Sequence, residues 1–180
     1  MKVAVFFGTG YEEIEALAVV DILRRAQVEV SLVGVSGKTV LSSRKVSINM
    51  DTTIEEFDAS EVDMLVLPGG VPGIEHLYAS SKLRELAKAF KRENKWLGAI
   101  CAAPSVLGKW GLLEGERATC YPGYEEELKG CEVVAQRTVV SHKIITGIGA
   151  GASLEFALAI VEQLVGIEKV KEIKKAMILE

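Results

Sequence analysis

The sequence contains few of the residues on which disulfide-rich and metal-binding proteins depend. Only three cysteines and two histidines occur among its 180 residues. Cys101, Cys120 and Cys131 show no CxxC spacing, and the chain has no HxxxH or HExxH pattern. This scarcity argues against a disulfide framework and against a zinc site, so we expect reduced thiols and no metal.

Long apolar runs, linkers and an excess of positive charge are also missing. The first apolar run, Val3 to Phe7, is too short for a membrane span or a signal peptide, which predicts a cytoplasmic protein without a membrane partner. A net charge of -4 and mixed Lys and Glu residues leave no basic stripe for nucleic acid. Without a Pro- or Ser-rich linker or an internal repeat, residues 1–180 are predicted to form a single domain.

What the chain does contain is an alternation of apolar strands and periodic helices. Its hydrophobic fraction of 49% and 17 glycines suit a compact α/β protein. Strands are predicted at 2–7, 28–35, 63–67, 96–100 and 117–120, short strands near 40, 46 and 48, a hairpin at 133–146, and helices at 11–26, 73–78, 81–93, 104–110, 124–128, 152–165 and 168–178. This order predicts a mostly parallel, doubly wound, flavodoxin-like sheet with helices on both faces.

Three loops that follow predicted strands carry the candidate chemistry. They are Gly8 to Glu15, Pro68-Gly69-Gly70 and Cys101-Ala102. Because parallel strands end at the same edge of a sheet, we expect these loops to converge there.

Cys101 is the candidate nucleophile. It lies between the apolar run Trp96 to Ile100 and a helix that Pro104 begins, which predicts a sharp strand-to-helix turn with the sulfur near unpaired amide N–H groups. The alternative is a buried, inert cysteine of the core.

Glu15 and the backbone amides are the candidate partners of this thiol. A carboxyl buried one turn into the first helix would have a raised pKa and could hold a proton beside a thiolate. Alternatively, Glu15 and its acidic neighbours only complement the positive end of the helix. Gly69 and Gly70 either form a simple turn or, with the amide of Ala102, an oxyanion hole.

The remaining candidates have weaker support. Cys120 and Cys131 are interpreted as non-catalytic, and His142 as a solvated turn residue. His76 follows the Gly73 loop and is kept as a possible lining residue of the pocket, because a Cys–His dyad would need a histidine there. The Gly147 to Gly151 segment lacks a Walker lysine and is interpreted as a site of close packing.

Four motifs together resemble the DJ-1/ThiJ/PfpI superfamily over essentially the whole chain, and its DJ-1 branch most closely. They are Gly10-Tyr11-Glu12-Glu13-Ile14-Glu15, Val66-Leu67-Pro68-Gly69-Gly70, Ala99-Ile100-Cys101-Ala102-Ala103-Pro104 and Glu155-Phe156-Ala157-Leu158-Ala159-Ile160-Val161. Ser43-Arg44 also matches that branch, which adds Arg44 to the candidate pocket residues.

The resemblance implies a flavodoxin-like homodimer of the class I glutamine amidotransferase-like type, with Cys101 as the reactive cysteine and Glu15 as its protonated partner. It implies a glyoxalase or deglycase without a cofactor, acting on a small reactive aldehyde or a glycated adduct. A redox sensor or chaperone that works through oxidation of Cys101 is the alternative, and an intracellular cysteine peptidase is a third.

Two positions depart from the family pattern. Ala102 stands where the peptidase branch has a histidine, which disfavours a peptidase. Tyr121 stands where the deglycase branch often has a histidine, and a tyrosine is a poor base near neutral pH. We therefore expect proton transfer to depend on Glu15, with Tyr121 as a pocket residue.

Overall fold

The computed structural model describes residues 1–179, and a seven-stranded sheet forms its centre. The strands are β1 Lys2–Phe7, β2 Glu29–Gly34, β3 Thr39–Leu41, β4 Ser47–Asn49, β5 Thr52–Thr53, β6 Met64–Leu67, β7 Trp96–Ile100, β8 Arg117–Ala118, β9 Glu132–Val133, β10 Thr138–Ser141 and β11 Ile144–Gly147. The helices are α1 Glu13–Arg25, α2 Gly73–Ala79, α3 Ser81–Arg92, α4 Pro104–Lys109, α5 Ser153–Leu164 and α6 Ile167–Ala176.

The large sheet has the strand order β10-β11-β7-β6-β1-β2-β5, and only β10 runs antiparallel to its neighbour. The chain passes from β1 to β2 on one side and then returns to place β6 on the other side of β1. This reversal puts the carboxyl ends of β1, β6 and β7 next to one another, and such a switch point is where open α/β sheets bind their ligands.

Alternating side chains of the buried strands form two cores. In β1, Val3, Val5 and Phe7 pack on the face covered by α1, α5 and α6, whereas Ala4 and Phe6 pack on the face covered by α2, α3 and α4. Strands that are buried on both faces are continuous apolar runs, which explains the sequence pattern. The predicted doubly wound, flavodoxin-like α/β fold is confirmed.

Several boundaries differ from the sequence-based prediction. The first helix begins at Glu13 rather than residue 11, because the Glu12 side chain caps it by accepting from the Glu15 N–H at 2.8 Å. The last helix ends at Ala176, and Ile178 has a left-handed φ of 56°. The short helix at 124–128 is a 3-10 turn over Glu125–Glu127.

The predicted hairpin over residues 133–146 is wrong at its start. Val133 pairs in parallel with Ala118, and the antiparallel hairpin consists of β10 and β11 over residues 138–147. The strand predicted over 117–120 ends at Ala118, because the Thr119 N–H donates to the Thr146 side chain instead of to a strand partner. The two-residue strand β5 was not predicted.

The β3–β4 hairpin is fastened to the loop that follows β1. The Gly10 N–H donates to the Leu41 carbonyl at 2.7 Å, and the Ser43 N–H donates to the Tyr11 carbonyl at 2.8 Å. The Glu13 carboxylate accepts from both serine hydroxyls of the hairpin turn and from the Arg44 N–H. The hairpin is thereby held against the first turn of α1. No helix in the described part of the chain is long and apolar enough to cross a bilayer.

Candidate active site

Cys101 occupies the turn between β7 and α4, with a strained backbone. Its φ of 64° lies in the left-handed region that non-glycine residues rarely adopt. Two hydrogen bonds hold it there: its N–H donates to the Gly147 carbonyl at 2.8 Å, and its carbonyl accepts from the Tyr121 N–H at 2.7 Å. The sharp turn expected from the sequence is present, and it leaves the half-buried Cys101 at the end of the sheet.

Glu15, in the first turn of α1, is completely buried at the same end of the sheet as Cys101. Its Oε2 atom accepts from the Gly69 N–H at 2.8 Å. Its Oε1 atom is buried and has no nitrogen or oxygen partner among the described residues, and the Cys101 thiol is the neighbouring group that favours its charged form. A methyl group added at Gly69 would lie 2.6 Å from Glu15 Oε2 and 2.7 Å from Cys101 Cβ, so both side chains border this glycine.

Burial shifts the protonation of both groups. It raises the pKa of Glu15 to about 7, against the Cys101 and Gly69 interactions that lower it. Burial, followed by the Glu15 charge, raises the pKa of Cys101 to about 12. Because each charge disfavours the other, the pair holds a single proton between about pH 7 and about pH 12.

The surrounding backbone amides favour the charged form of Cys101 and also that of Glu15. The N–H groups of Ala102 and Gly70 face the Cys101 sulfur and favour a thiolate. The Gly69 N–H was expected beside them in an oxyanion hole, but it donates to Glu15 and favours the carboxylate. The sequence predicts a thiolate beside a carboxylic acid, but of the two forms that hold one proton these pKa shifts favour the other, a neutral thiol beside a carboxylate.

Tyr121 lies beside the Cys101 turn. Its N–H holds the Cys101 carbonyl, its side chain is half exposed, and its ring packs on Gly149, where a methyl group would lie 3.3 Å from Cδ2. The glycine-rich segment expected to provide close packing therefore does so through Gly147 and Gly149. The sequence could not predict that the Gly147 carbonyl holds the Cys101 N–H, because every residue has a backbone carbonyl.

The contacts of the two histidines and of Arg44 involve residues other than Cys101 and Glu15. His76 lines a cavity of about 360 Å³ with Val35 and Ile54, and this cavity does not include Cys101. His142 lies in the β10–β11 turn, where its Nδ1 is 2.8 Å from a carboxylate oxygen of the buried Glu116. Arg44 is exposed in the hairpin turn, which its N–H joins to Glu13. Within residues 1–179, no cluster of three His, Cys, Asp or Glu side chains has the arrangement of a metal site.

These features define a class of protein: a flavodoxin-like α/β domain that carries a strained cysteine and a buried carboxyl at the switch point of its sheet. The family model of the DJ-1/PfpI family matches residues 1–163, and the chain belongs to that family.

Relatives and solved structures agree with this assignment. The chain is 38% identical to "Protein DJ-1 homolog B" of Arabidopsis thaliana over 99% of its own length but only 41% of the relative's length. It is 33% identical to "Glutathione-independent glyoxalase DJR-1.2" of Caenorhabditis elegans over 93% of this chain and 90% of that one. The solved structure described as "Toxoplasma gondii DJ-1, oxidized" matches with a TM-score of 0.94 and 36% identity, covering 98% of this chain and 97% of that one.

The coupled pair predicts how the alkylation rate of Cys101 depends on pH. In the wild-type protein, the rate of reaction with iodoacetamide should rise as the pH passes through about 7, where the pair loses its first proton. In Glu15→Gln the inflection near pH 7 should be absent and the rate at pH 8 should be higher than in the wild type, because the Glu15 charge that raises the pKa of the Cys101 thiol is removed. Peptide mass spectrometry of Cys101 measures the rate. The exposed Glu56→Gln variant is the control, and a step near pH 7 that survives in Glu15→Gln would contradict the coupling.

Proposed function

We propose that the protein is a cofactor-independent, cysteine-dependent enzyme that detoxifies small 2-oxoaldehydes or their adducts on other molecules, as a glyoxalase or deglycase does. The observation that carries this proposal is the buried Cys101–Glu15 pair, which combines a nucleophile with a group that can accept and return a proton near neutral pH. A relative of this chain is named as a glutathione-independent glyoxalase, which supports the same chemistry.

The reaction follows from the positions of these groups. The Cys101 sulfur adds to the aldehyde carbon, its proton passes through Glu15 to the aldehyde oxygen, and a hemithioacetal forms. The amides of Gly70 and Ala102, which face the sulfur, stabilise negative charge that develops next to it. Glu15 then takes the proton from the former aldehyde carbon and returns a proton to the adjacent carbon, while the hydroxyl proton of the hemithioacetal moves to the oxygen of that adjacent carbon, giving a thioester. Water hydrolyses the thioester, which releases a 2-hydroxy acid and restores the thiol.

Loss of the thiol should abolish this activity. Cys101→Ser should reduce the consumption of methylglyoxal at least about 100-fold, and Glu15→Gln should have an effect of similar size because proton transfer depends on it. The measurement is the disappearance of methylglyoxal together with the appearance of lactate. Cys131→Ser, which changes a cysteine away from the pair, should retain the wild-type rate. Consumption that is unchanged in Cys101→Ser would refute the proposal.

A redox-sensing role is the second candidate, and the half-buried position of Cys101 beside two amides and a carboxyl favours it. A peroxide transfers one oxygen to the thiolate and leaves as an alcohol or water, giving a sulfenate, and a second peroxide converts this to a sulfinate. The same amides and the protonated form of Glu15 can donate hydrogen bonds to the new oxygens. A solved structure of a family member is described as oxidized.

Mild peroxide treatment tests this role. Sulfinate should accumulate at Cys101 well before Cys131 is oxidised, because two amides, those of Ala102 and Gly70, favour a thiolate at Cys101, whereas only the Ala118 amide does so at Cys131. Mass spectrometry of the digested protein measures oxidation at each cysteine. Equal oxidation of Cys101 and Cys131, or a pattern unaltered by Glu15→Gln, would remove this candidate.

A peptidase has less support. Ala102 leaves no histidine next to the nucleophile, His76 lines a different cavity, and His142 contacts Glu116. A Cys–His dyad would therefore need a histidine from a second molecule.

We also infer a homodimer, with a surface around the first turn of α1 as its interface. Ile14, Leu41 and Val46 are 58%, 37% and 45% exposed, and the contacts between α1 and the β3–β4 hairpin bring this part of the surface together. Exposed apolar side chains grouped in this way are typical of interfaces. Arg44 is exposed in the same hairpin turn and would belong to this interface.

A charge in this surface should dissociate the dimer. Val46→Asp should reduce the molar mass measured by light scattering from twice that of one chain to that of a single chain, because a carboxylate cannot be buried unpaired at low cost. Val165→Asp changes a valine of similar exposure, 42%, at the end of α5 and should leave the mass unchanged. A wild-type mass of one chain would refute the inference.

A cytoplasmic location is part of the proposal. All three cysteines are free, including the half-buried Cys101 and Cys131. Exposed reactive thiols persist in a reducing compartment and become oxidised outside it. This supports a location where the nucleophile stays reduced between turnovers.

A further inference from the structure

A separate cavity of about 300 Å³ lies beside the turn that carries Cys101. Two chain segments hold the backbone of Cys101: one contains Tyr121, whose N–H donates to its carbonyl, and the other contains Gly147, whose carbonyl accepts from its N–H. The sequence neighbours of these two anchors line the cavity: Cys120 and Pro122 on either side of Tyr121, and Ile148 after Gly147. Cys101 is not itself among the lining residues, but the cavity is built on the same two segments that hold the cysteine turn.

The lining of the cavity is mostly apolar. Val133, Val134 and Ala135, in and after the short strand β9, also line it, and Thr119 adds one hydroxyl group to the lining. Among the described residues that line the cavity, Glu125 is the only charged one. Burial raises the pKa of the Cys120 thiol to about 11, and the Glu125 charge adds to this shift, so Cys120 is an uncharged lining group at neutral pH.

The size and lining of the cavity indicate what it can hold. An apolar cavity of about 150 Å³ is known to hold a benzene molecule, so a space twice as large accommodates an aromatic ring or a branched aliphatic group. A methyl group would leave most of it unfilled. An anionic group would meet the Glu125 carboxylate without a cation in the lining to offset it.

We propose that this cavity receives the apolar substituent of the compound that reacts at Cys101, and that it gives the enzyme a preference for 2-oxoaldehydes with an aromatic or branched aliphatic group over methylglyoxal. The identity of the reacting compound rests on the proposed function. Tyr121 connects the two places through the chain, because its N–H holds the Cys101 carbonyl and its sequence neighbours Cys120 and Pro122 line the cavity.

A filled cavity tests the preference. The wild-type protein should show a higher kcat/KM for phenylglyoxal than for methylglyoxal, with each rate corrected for that of Cys101→Ser. Ala135→Phe, which places a ring at the cavity wall, should lower kcat/KM for phenylglyoxal about tenfold and leave that for methylglyoxal within about twofold. Val140→Phe introduces the same side chain at a half-exposed position of β10 outside the cavity and should change neither value. Equal losses for both aldehydes in Ala135→Phe would overturn the proposal.

Alkylation provides a second readout that does not depend on turnover. Iodoacetamide and its N-phenyl derivative both react by forming an S–C bond at Cys101 and releasing iodide. The ratio of the N-phenyl rate to the iodoacetamide rate, measured on the Cys101 peptide, should fall about tenfold in Ala135→Phe and stay unchanged in Val140→Phe. If the aldehydes are not consumed but this ratio falls, the proposed function fails and the cavity assignment holds. A ratio that does not change in Ala135→Phe refutes the cavity assignment whatever the aldehyde result.

Discussion

The contact between a buried carboxyl and a half-buried thiol is the constraint on which the site depends. Glu15 has no exposure to solvent, so its charge can be tolerated only where hydrogen-bond donors meet it. The Gly69 N–H donates to one oxygen of the Glu15 carboxyl, and the neighbouring Cys101 thiol also favours the charged form of this carboxyl. A carboxyl that is only partly compensated keeps a proton up to about pH 7, and the same burial prevents thiol and carboxyl from both being charged near neutrality.

The contact between Glu15 and Cys101 limits which residues the neighbouring backbone positions can carry. A side chain at Gly69 would collide with Glu15 and Cys101, and one at Gly70 would lie 2.4 Å from the Glu12 nitrogen, at a φ of 94° that glycine adopts readily. The strained turn at Cys101 is held from both sides by hydrogen bonds to Gly147 and Tyr121. The pair can therefore be positioned without a metal ligand or a histidine, and the residues that hold it act mainly through their backbone atoms.

Much of the fold follows from local patterns. The long strands are apolar runs because they are buried on both faces, and β1 and β7 have the predicted bounds. The errors occur where strands are two residues long or exposed: β5, β8 and β9 contain too few residues for a periodicity. Val133 was assigned to the wrong hairpin because its parallel pairing with Ala118 depends on a distant segment. The motifs around Glu15, Gly69 and Cys101 identified the candidate site and the family, since few loops can carry this combination.

The sequence by itself determined the order of the long strands and the helices, the family, and the residues that can react, because these depend on local periodicity and on residue types at particular positions. Only the tertiary structure decided that burial raises the pKa of both Glu15 and Cys101, that the Gly69 amide donates to the carboxyl, that His76 lines a cavity without Cys101, and that His142 contacts Glu116. Such properties depend on burial and on distances between segments far apart in the chain. The mostly apolar cavity near the Cys101 turn likewise could not be predicted from the sequence, because its walls come from three segments that only the folded chain brings together.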